Sequence, residues 1–552
     1  MQKQILDHEE IEWQFDAPDL ELVESWLEEH PSAPGLSVVP GATRELTDTY
    51  YDTEDWRFYR AGYALRVRRE GKGAEATMKS LAPSEGALRR RREISEPLEG
   101  NVKSPKGARG PVGERARRLA GARDLRPLFE IRTRRRAFVL LSERPSATAD
   151  GSSGQKIVED ASGDIRAREA ERGAAIGELA LDEAKISGDG EAPTRLSRIE
   201  VEVASDAAPR DGVEEFVDGL RDDLGLRPTE ASKFRTGLAT AGLSPVVAPD
   251  LGTTQIDASL SAGEVAFAVL RRHFAVMLAH EPGVRLGEDP EDLHDMRVAT
   301  RRLRATLKLY SDALPKRAER YERDLRYVAS ALGEVRDLDV HLERLAEEAS
   351  KNGEVREEVV ALLEERRVGA RRRMLETLDS NRYERLVSNF TGTLRRGRSP
   401  SPTNSILEDA PVLVRRRYKR VRKDVEALTE DSPPEDFHDL RKKGKRLRYA
   451  LEPLQEIYGK PAKKMVKLLK TIQDDLGDHQ DLIVAARLME ELGVAGDLPP
   501  RAVFSTGSMA GRYSRDAAEM RASFLGSKPF RTLKGGKPWK QLRKAMEKRA
   551  EG

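Results

Sequence analysis

The sequence predicts a multi-domain α+β chain, strand-rich in front and all-helical behind. Three observations lead there. Short segments that alternate polar and apolar residues recur through positions 1–240, the period of a half-buried strand. From about 255 onward apolar residues return every three or four positions among abundant Glu, Arg, Leu and Ala, the period of an amphipathic helix. Within that helical region a pair of motifs recurs at one offset, the mark of a duplicated unit.

Composition narrows the function classes. At about 150 residues per domain, a chain of 552 holds two to four domains. Hydrophobic residues make up 38% and charged residues 35%. The net charge of +2 hides an asymmetry. Residues 1–250 carry 38 Lys and Arg against 47 Asp and Glu, a net of −9, and the remainder carries 59 against 48, a net of +11. With no cysteine, disulfides, thiolate zinc sites, iron–sulfur clusters and cysteine nucleophiles are excluded. No apolar run is long enough for a spanning helix, and the acidic start MQKQILDHEEIEW does not resemble a secretion signal. A cytoplasmic protein without membrane contact is expected.

Strands are expected in EIEWQF (10–15), YALRVRRE (63–70), EATMKS (75–80), RRREIS (90–95), EIRTRRRAFVLL (130–141), GELALDEAKI (177–186) and RIEVEVAS (198–205). Helices are expected at 17–30 and 211–225, and a polar Gly/Ser-rich loop or extension at 145–176. This front domain spans 1–240, and a linker rich in Pro and Gly spans 241–254. The helical domain spans 255–500, with repeats at about 255–395 and 406–500 divided by RRGRSPSPTNS. Residues 501–552 read as a basic C-terminal tail.

HDMRVATRRLR (294–304) aligns with HDLRKKGKRLR (438–448), and LGEVRDLDV (332–340) with LGDHQDLIV (476–484), each at an offset of 144. His294, Arg297, Arg301 and Arg304 share one helical stripe, as do His438, Arg441, Lys445 and Arg448. Met296, Leu303 and Leu307, and likewise Leu440, Leu447 and Leu451, form an apolar stripe beside it. Cations at successive turns lie about 5.4 Å apart along the axis, a costly spacing unless a polyanion lies along it. Single-strand nucleic-acid binders interleave aromatic residues for base stacking. Aromatics are 5% of this chain and the ladders contain none before Tyr449, so a phosphate chain without bases fits better. Arg336 and Asp337, with their counterparts Gln480 and Asp481, are expected at the interface between the copies. These motifs resemble the CHAD domain, a two-copy helical bundle. The resemblance implies binding of inorganic polyphosphate by the two ladders.

In the front domain, alternation puts Glu10 with Glu12, Glu200 with Glu202, Arg66 with Arg68, Arg132 with Arg134, Thr77 with Lys79 and Arg91 with Glu93 on shared faces. Closed into a barrel with polar residues inward, such strands would fill a lumen with acids and cations. Carboxylate pairs suit Mg²⁺ or Mn²⁺, and arginines and lysines suit phosphoryl oxygens. That combination serves phosphoryl transfer. No GxxxxGK[ST] run is present, which excludes a P-loop. The order of ExE (10–12), YYDT (50–53), ALRVR (64–68), TMKS (77–80), LDE (181–183), EVEV (200–203) and SKFR (232–235) resembles the CYTH domain, the triphosphate tunnel metalloenzyme fold. The resemblance implies an eight-stranded antiparallel barrel with flanking helices. It implies catalysis by Glu10, Glu12, Glu200 and Glu202, metal binding by these four with Asp182, and triphosphate binding by Arg66, Arg68, Lys79, Arg91, Arg132, Arg134, Lys233 and Arg235. Gln14 and Ser95 depart from the family's ExExK and RxExE patterns, changes that bear on turnover more than on binding.

Metal-dependent hydrolysis of inorganic triphosphate in the tunnel, with polyphosphate binding by the helical domain, is therefore expected. The alternative is a non-catalytic polyphosphate-binding protein associated with polyphosphate granules. Class IV adenylate cyclase activity, which the shared barrel also implies, ranks below both.

Overall fold

The computed structural model describes residues 6–82, 86–99, 104–142, 174–188, 192–204, 212–246, 248–352, 356–397 and 404–550. Most of the loop expected at 145–176 lies outside them. The chain divides into two compact units, Met1–Val247 and Ala248–Gly552.

Eight long strands form the first unit: β1 (Leu6–Asp16), β2 (Leu36–Asp52), β3 (Tyr63–Glu70), β4 (Gly73–Ser80), β5 (Leu88–Pro97), β6 (Arg126–Ser142), β7 (Ala174–Ser187) and β8 (Thr194–Ala204). They pair antiparallel in the order β1-β5-β4-β3-β2-β6-β7-β8, and β8 returns to β1 to close the barrel. Closure leaves no free sheet edge. Its consequence here is an inversion of the usual sheet: the polar face turns inward. The outward face must then be buried by helices. Helices α1 (Leu20–Glu29) and, after the short α2 (Arg57–Arg60) and α3 (Pro111–Ala120), α4 (Val213–Asp223) cover Ile11, Trp13, Phe15, Leu179, Leu181, Ile199, Val201 and Val203. Helix α3 lies against β4 and β5. Its N-terminal amides at Gly110, Val112 and Gly113 donate to the buried Glu96 carboxylate at 3.0–3.2 Å, which meets the positive end of the helix dipole. Helix α5 (Lys233–Thr240) begins with Ser232 accepting from the Arg235 amide. Its Phe234 packs 5.3 Å from Tyr50 and 5.9 Å from Phe129, closing one stretch of the lumen with aromatic rings.

The second unit is all-helical: α6 (Ala262–Leu286), α7 (Pro290–Leu309), α8 (Ala318–Asn352), α9 (Glu357–Leu378), α10 (Asn381–Arg396), α11 (Ile406–Ala427), α12 (Pro434–Leu451), α13 (Gln455–Val494), α14 (Pro500–Gly526), α15 (Lys528–Gly535) and α16 (Lys537–Ala550). The offset of 144 carries the first residues of α6 and α7 onto those of α11 and α12. The two copies meet reciprocally. The Ala262 amide donates to Asn404 O at 3.4 Å, the Ile406 amide donates to Leu260 O at 2.9 Å, and the N-caps Ser261 and Ser405 bridge each other. Both apolar stripes are buried, with Met296, Leu303, Leu307, Leu440, Leu447 and Leu451 in one continuous core. The segment expected as a basic tail differs: 500–550 is three helices. Leu542 and Met546 of α16 enter the core, and Trp539 stacks on Tyr418 at 4.1 Å. A basic amphipathic stretch resembles a tail by charge, but its buried face gives it a place in the bundle. No helix among the described residues is long and apolar enough to cross a membrane.

Arg285 is the largest fully buried side chain among the described residues. It donates to Glu281 at 2.9 Å, to Asp379 at 2.6 Å and to Leu378 O at 2.9 Å. Removing it takes the cation from the buried Glu281 and from Asp379, so Arg285→Ala is expected to lower stability by about 3–5 kcal/mol. Urea unfolding followed by circular dichroism checks this, and an unchanged midpoint refutes it.

Candidate functional site: an acid-and-base tunnel and a cationic groove

Strand register decides which charges meet in the tunnel. At the closing seam Glu12 stands opposite Glu202, and Gln14 opposite Glu200. Across the other edge of β1, Glu10 stands opposite Arg91 of β5, and one strand further on Lys79 of β4 stands opposite Glu93 of β5. Directly opposed like charges are unfavourable, and the remedy here is Lys79. Its ammonium pairs with Glu10, with Glu12 at 3.3 Å and with Glu93 at 3.6 Å, while Arg91 reaches Glu12 at 3.2 Å. Acid still exceeds base at this end. Burial, reinforced by Glu202, Glu12 and Glu93, lifts the Glu10 carboxyl well above its ordinary range against the pull of Lys79. Burial, with Glu93 and Glu12, also lifts Glu202 against the pull of Lys79.

The other end is balanced. Arg135 donates to Asp182 at 2.8 and 2.7 Å, to Glu200 at 2.7 Å and to Glu178 at 3.3 Å. Lys233 pairs with Asp182 and reaches Glu200 at 2.9 Å. Burial alone would raise Asp182 and Glu200, but Lys233 and Arg135 outweigh it and hold both carboxyls low. Arg68 clasps Asp48 with two bonds of 2.8 and 2.9 Å, and Arg66 lies 3.7 Å from Asp48 and 3.5 Å from Glu93.

The structure thus gathers Glu10, Glu12 and Glu202 around Lys79, and Asp182 and Glu200 around Arg135 and Lys233. The five acids form two groups rather than one cage. Arg66, Arg68, Lys79, Arg91 and Lys233 all reach the lumen. Three expected ligands do not. Arg132 and Arg134 are exposed on the outer face of β6, Arg132 bonded to Glu130. They share a face as expected, but it is the outward one, and Thr133 and Arg135 point in. Arg235, beside Phe234 on α5, is exposed, because the packing of Phe234 and Lys233 turns the next position to solvent. Sequence reasoning missed Arg135, Asp48 and Glu178. In RTRRRA, arginines occupy both parities, so alternation cannot say which parity faces in. Gln14 donates to Glu200 at 3.2 Å, and Ser95 meets Thr77 at 3.0 Å; both departures from the family pattern lie inside the tunnel.

Does the donor set suit a divalent cation? Among the described residues no three His, Asp or Glu side chains already stand in ligating geometry. The acids are drawn instead to the Lys79 ammonium. Yet Glu10 is buried, Glu202 is half-buried, and each lies close enough to the other acids to feel their like charge. Paired hard oxygen donors with surplus negative charge match Mg²⁺ or Mn²⁺, so the residues fit such an ion.

In the helical unit the two ladders face one groove. Arg304 is neutralised by Glu322 at 3.2 Å, Arg448 by Glu452 at 3.3 Å, and Arg297 donates to Asp337 at 3.1 Å. Arg301, Arg441 and Lys445 have no such carboxylate: among the described residues none of the three makes an ion pair, and Arg301 instead donates to the Tyr449 hydroxyl at 3.0 Å. Burial, then Arg441, Arg301, Arg448 and Arg297, press Lys445 down to about 7. His294 is half-buried on the same stripe. His438 meets Gln480, and burial and then Lys442 lower its basicity. Gly333 and Gly477, equivalent by the 144 offset, sit behind the arginines; a Cβ on Gly477 would stand 3.1 Å from the Arg441 guanidinium. Of the residues expected between the copies, Asp337 holds Arg297 within its own copy, while Asp481 acts on Arg441 and also on Arg297 across the groove.

A closed barrel lined by acids and cations, followed by a duplicated helical bundle, defines the class. The N-terminal unit is a triphosphate tunnel domain. The CYTH domain family matches residues 20–237 and the CHAD domain family residues 268–490, so the chain joins a CYTH domain to a CHAD domain. Two Mycobacterium tuberculosis proteins, Uncharacterized protein MT2285 and Uncharacterized protein Rv2226, are each 26% identical over 541 residues, covering 92% of this chain and 93% of theirs. The crystal structure of the CHAD domain from the plant Ricinus communis is 29% identical, covers 50% of this chain and 96% of that one, and has a TM-score of 0.44. A Hippeastrum protein described as having a dominant triphosphatase activity is 14% identical, covers 43% of this chain and 98% of that one, and has a TM-score of 0.28.

Lys445 makes stability depend on pH. Its folded value of about 7 lies below the ordinary 10.5 of an unfolded lysine. Between those values the unfolded chain binds more protons, so stability rises with pH across the window and its Lys445 share is lost as pH falls through about 7. Lys445→Met is expected to flatten that slope in thermal melts taken from pH 7 to 10. Parallel wild-type and variant curves refute the assignment.

Proposed function

We propose that the tunnel hydrolyses inorganic triphosphate with Mg²⁺ or Mn²⁺ and that the helical groove binds inorganic polyphosphate. One observation carries the first half: a closed lumen holds surplus carboxylate around Glu10 and Glu202, with Arg66, Arg68, Lys79, Arg91, Arg135 and Lys233 among the cations beyond it. Glu10, Glu12 and Glu202, with Glu200 and Asp182 from the second group, would hold the metal. Bound there, it neutralises phosphate charge and lowers the pKa of an attacking water. The chain's own residues do the rest. Arg66 and Arg68 clamp phosphoryl oxygens, exchanging the Asp48 carboxylate for substrate. Lys79 and Arg91 bridge acids and phosphate chain. Lys233 and Arg135 meet the far phosphate. The Glu10 carboxyl, raised by burial and then by its acidic neighbours, is disposed to hold a proton. The closed wall keeps the charges poorly hydrated, where each attraction is stronger than in water.

The second half rests on Arg301, Arg441 and Lys445, three crowded cations that make no ion pair among the described residues. A phosphate chain along the groove supplies the missing negative charge.

The alternative, binding without turnover, draws on one contact. Gln14 gives Glu200 a neutral amide where the family pattern has a lysine. Phosphate release from tripolyphosphate separates the two. With Mg²⁺ or Mn²⁺ the wild type is expected to turn over, Glu10→Ala and Glu200→Ala to abolish it, and Arg66→Ala to lower it roughly 100-fold. Equal background from wild type and variants leaves the alternative. Charge reversal at Arg301 and Lys445 is expected to weaken long-chain polyphosphate binding. Binding by wild type at pH 8 is expected to take up a proton, since the polyanion raises the Lys445 value; calorimetry in two buffers of different ionisation enthalpy reads it. Unchanged affinity in the reversed variants overturns the groove reading.

A further inference from the structure

The duplication places a second cation cluster outside the ladders, and its two copies have diverged. In the first copy Arg272 and His273 of α6 and Arg302 of α7 line a cavity of about 130 Å³ with Thr306, Tyr449 and Glu452. Its charges are satisfied internally: Arg302 pairs with Glu452 at 3.0 Å, and Arg272 donates to Glu456 at 3.0 Å. Tyr449 forms a wall, with Arg302 and Arg448 over its ring at 5.6 and 5.3 Å.

The 144 offset maps these residues onto Arg416 and Arg417 of α11 and Arg446 of α12. Here the partner of Arg302 is gone, while Glu456 corresponds to Asp312, which accepts from the Ser311 hydroxyl and forms no ion pair with these arginines among the described residues. Glu452 corresponds to Lys308, which is turned to Glu322, and Tyr449 corresponds to Ala305. Val276 corresponds to Arg420, which adds a cation. Arg416, Arg420 and Arg446 are exposed, Arg417 is half-buried, and among the described residues none of the four makes an ion pair. They act on one another: Arg416, Arg420 and Arg446 all depress Arg417, after burial. The same arginine faces Tyr310, which is 4% exposed and whose buried hydroxyl has no hydrogen-bond partner. Four guanidinium groups kept together with no ion pair among the described residues, beside an unsatisfied buried hydroxyl, form an incomplete site for a compact multivalent oxyanion.

We propose that Arg416, Arg417, Arg420 and Arg446, with the Tyr310 hydroxyl, bind a phosphoryl oxyanion at a second site of the CHAD domain, separate from the ladder groove. Guanidinium forks match the oxygen geometry of phosphate. The same chemistry is offered by free pyrophosphate and by a segment of a longer phosphate chain. The first copy, filled by its own glutamates, binds none. The proposal does not require the ladder reading to hold.

The test uses the full chain with Arg417→His and Arg420→Val together. These are the residues the first copy carries at 273 and 276, so the fold is expected to tolerate them, and circular dichroism confirms it. Calorimetric titrations with pyrophosphate and with long-chain polyphosphate are read as differences from wild type, so tunnel binding cancels. Loss of about fivefold or more in apparent affinity for either probe, as for removed charge-assisted contacts, supports the site. Loss with pyrophosphate identifies a free-anion site, and loss with the polymer alone identifies a chain-binding one. Arg446→Ala is expected to lower the same affinity in parallel. Wild-type affinity for both probes in both variants overturns the proposal. Lys445→Ala, titrated alongside, reports the ladder groove on its own, so failure of one site is distinguishable from failure of the other.

Discussion

Charge of one sign crowded into poorly hydrated space governs this molecule. A buried charge must be paired, hydrogen-bonded or neutralised, and each notable site here meets that demand incompletely. At one end of the tunnel, burial and neighbouring acids push the Glu10 and Glu202 carboxyls upward. In the helical groove, Lys445 loses much of its basicity to burial and to four arginines. Elsewhere the same demand is met in full. Arg285 has two carboxylates and a carbonyl. The contrast separates charges that hold the fold from charges that await an ion.

Closure of the barrel creates the first kind of crowding. Eight strands with polar residues inward place acids and bases face to face at fixed register, and the apolar outer face then needs α1, α3 and α4 to cover it. Helix α5 does two tasks with adjacent residues: Phe234 enters the aromatic cluster and Lys233 enters the lumen. The second kind of crowding comes from duplication. Two copies joined by reciprocal bonds at Ser261 and Ser405 bring cationic stripes together that a single copy would leave in water. Duplication also lets copies diverge, as Glu452 and Lys308 have done at equivalent positions.

Most of the architecture was legible in the residues. Period two and period 3.6 separate the halves, the constant offset of 144 exposes the duplication, and the apolar stripes of α7 and α12 are buried where spacing put them. Of the tunnel ligands, strands with a clear apolar parity, such as Leu65 and Val67 in β3, showed which residues point in. β6 failed that test. Its arginines fill both parities, so Arg132 and Arg134 were assigned inward when Arg135 is the one that faces the acids. The basic stretch 501–552 misled by its charge, since Leu542 and Met546 are too few to announce a packed helix beside so many lysines.

What the sequence determined by itself was local and periodic: which residues could share a face, where strands give way to helices, and that one helical unit occurs twice. Those follow from backbone geometry, which repeats every two or 3.6 residues whatever lies beyond. The tertiary structure alone decided which face turned inward, that Glu12 opposes Glu202, that Lys79 stands among three carboxylates, and that Lys445 has arginines from both copies around it. Such facts depend on strand register and on packing between segments more than a hundred residues apart, and charge strength depends on burial, which no local pattern encodes.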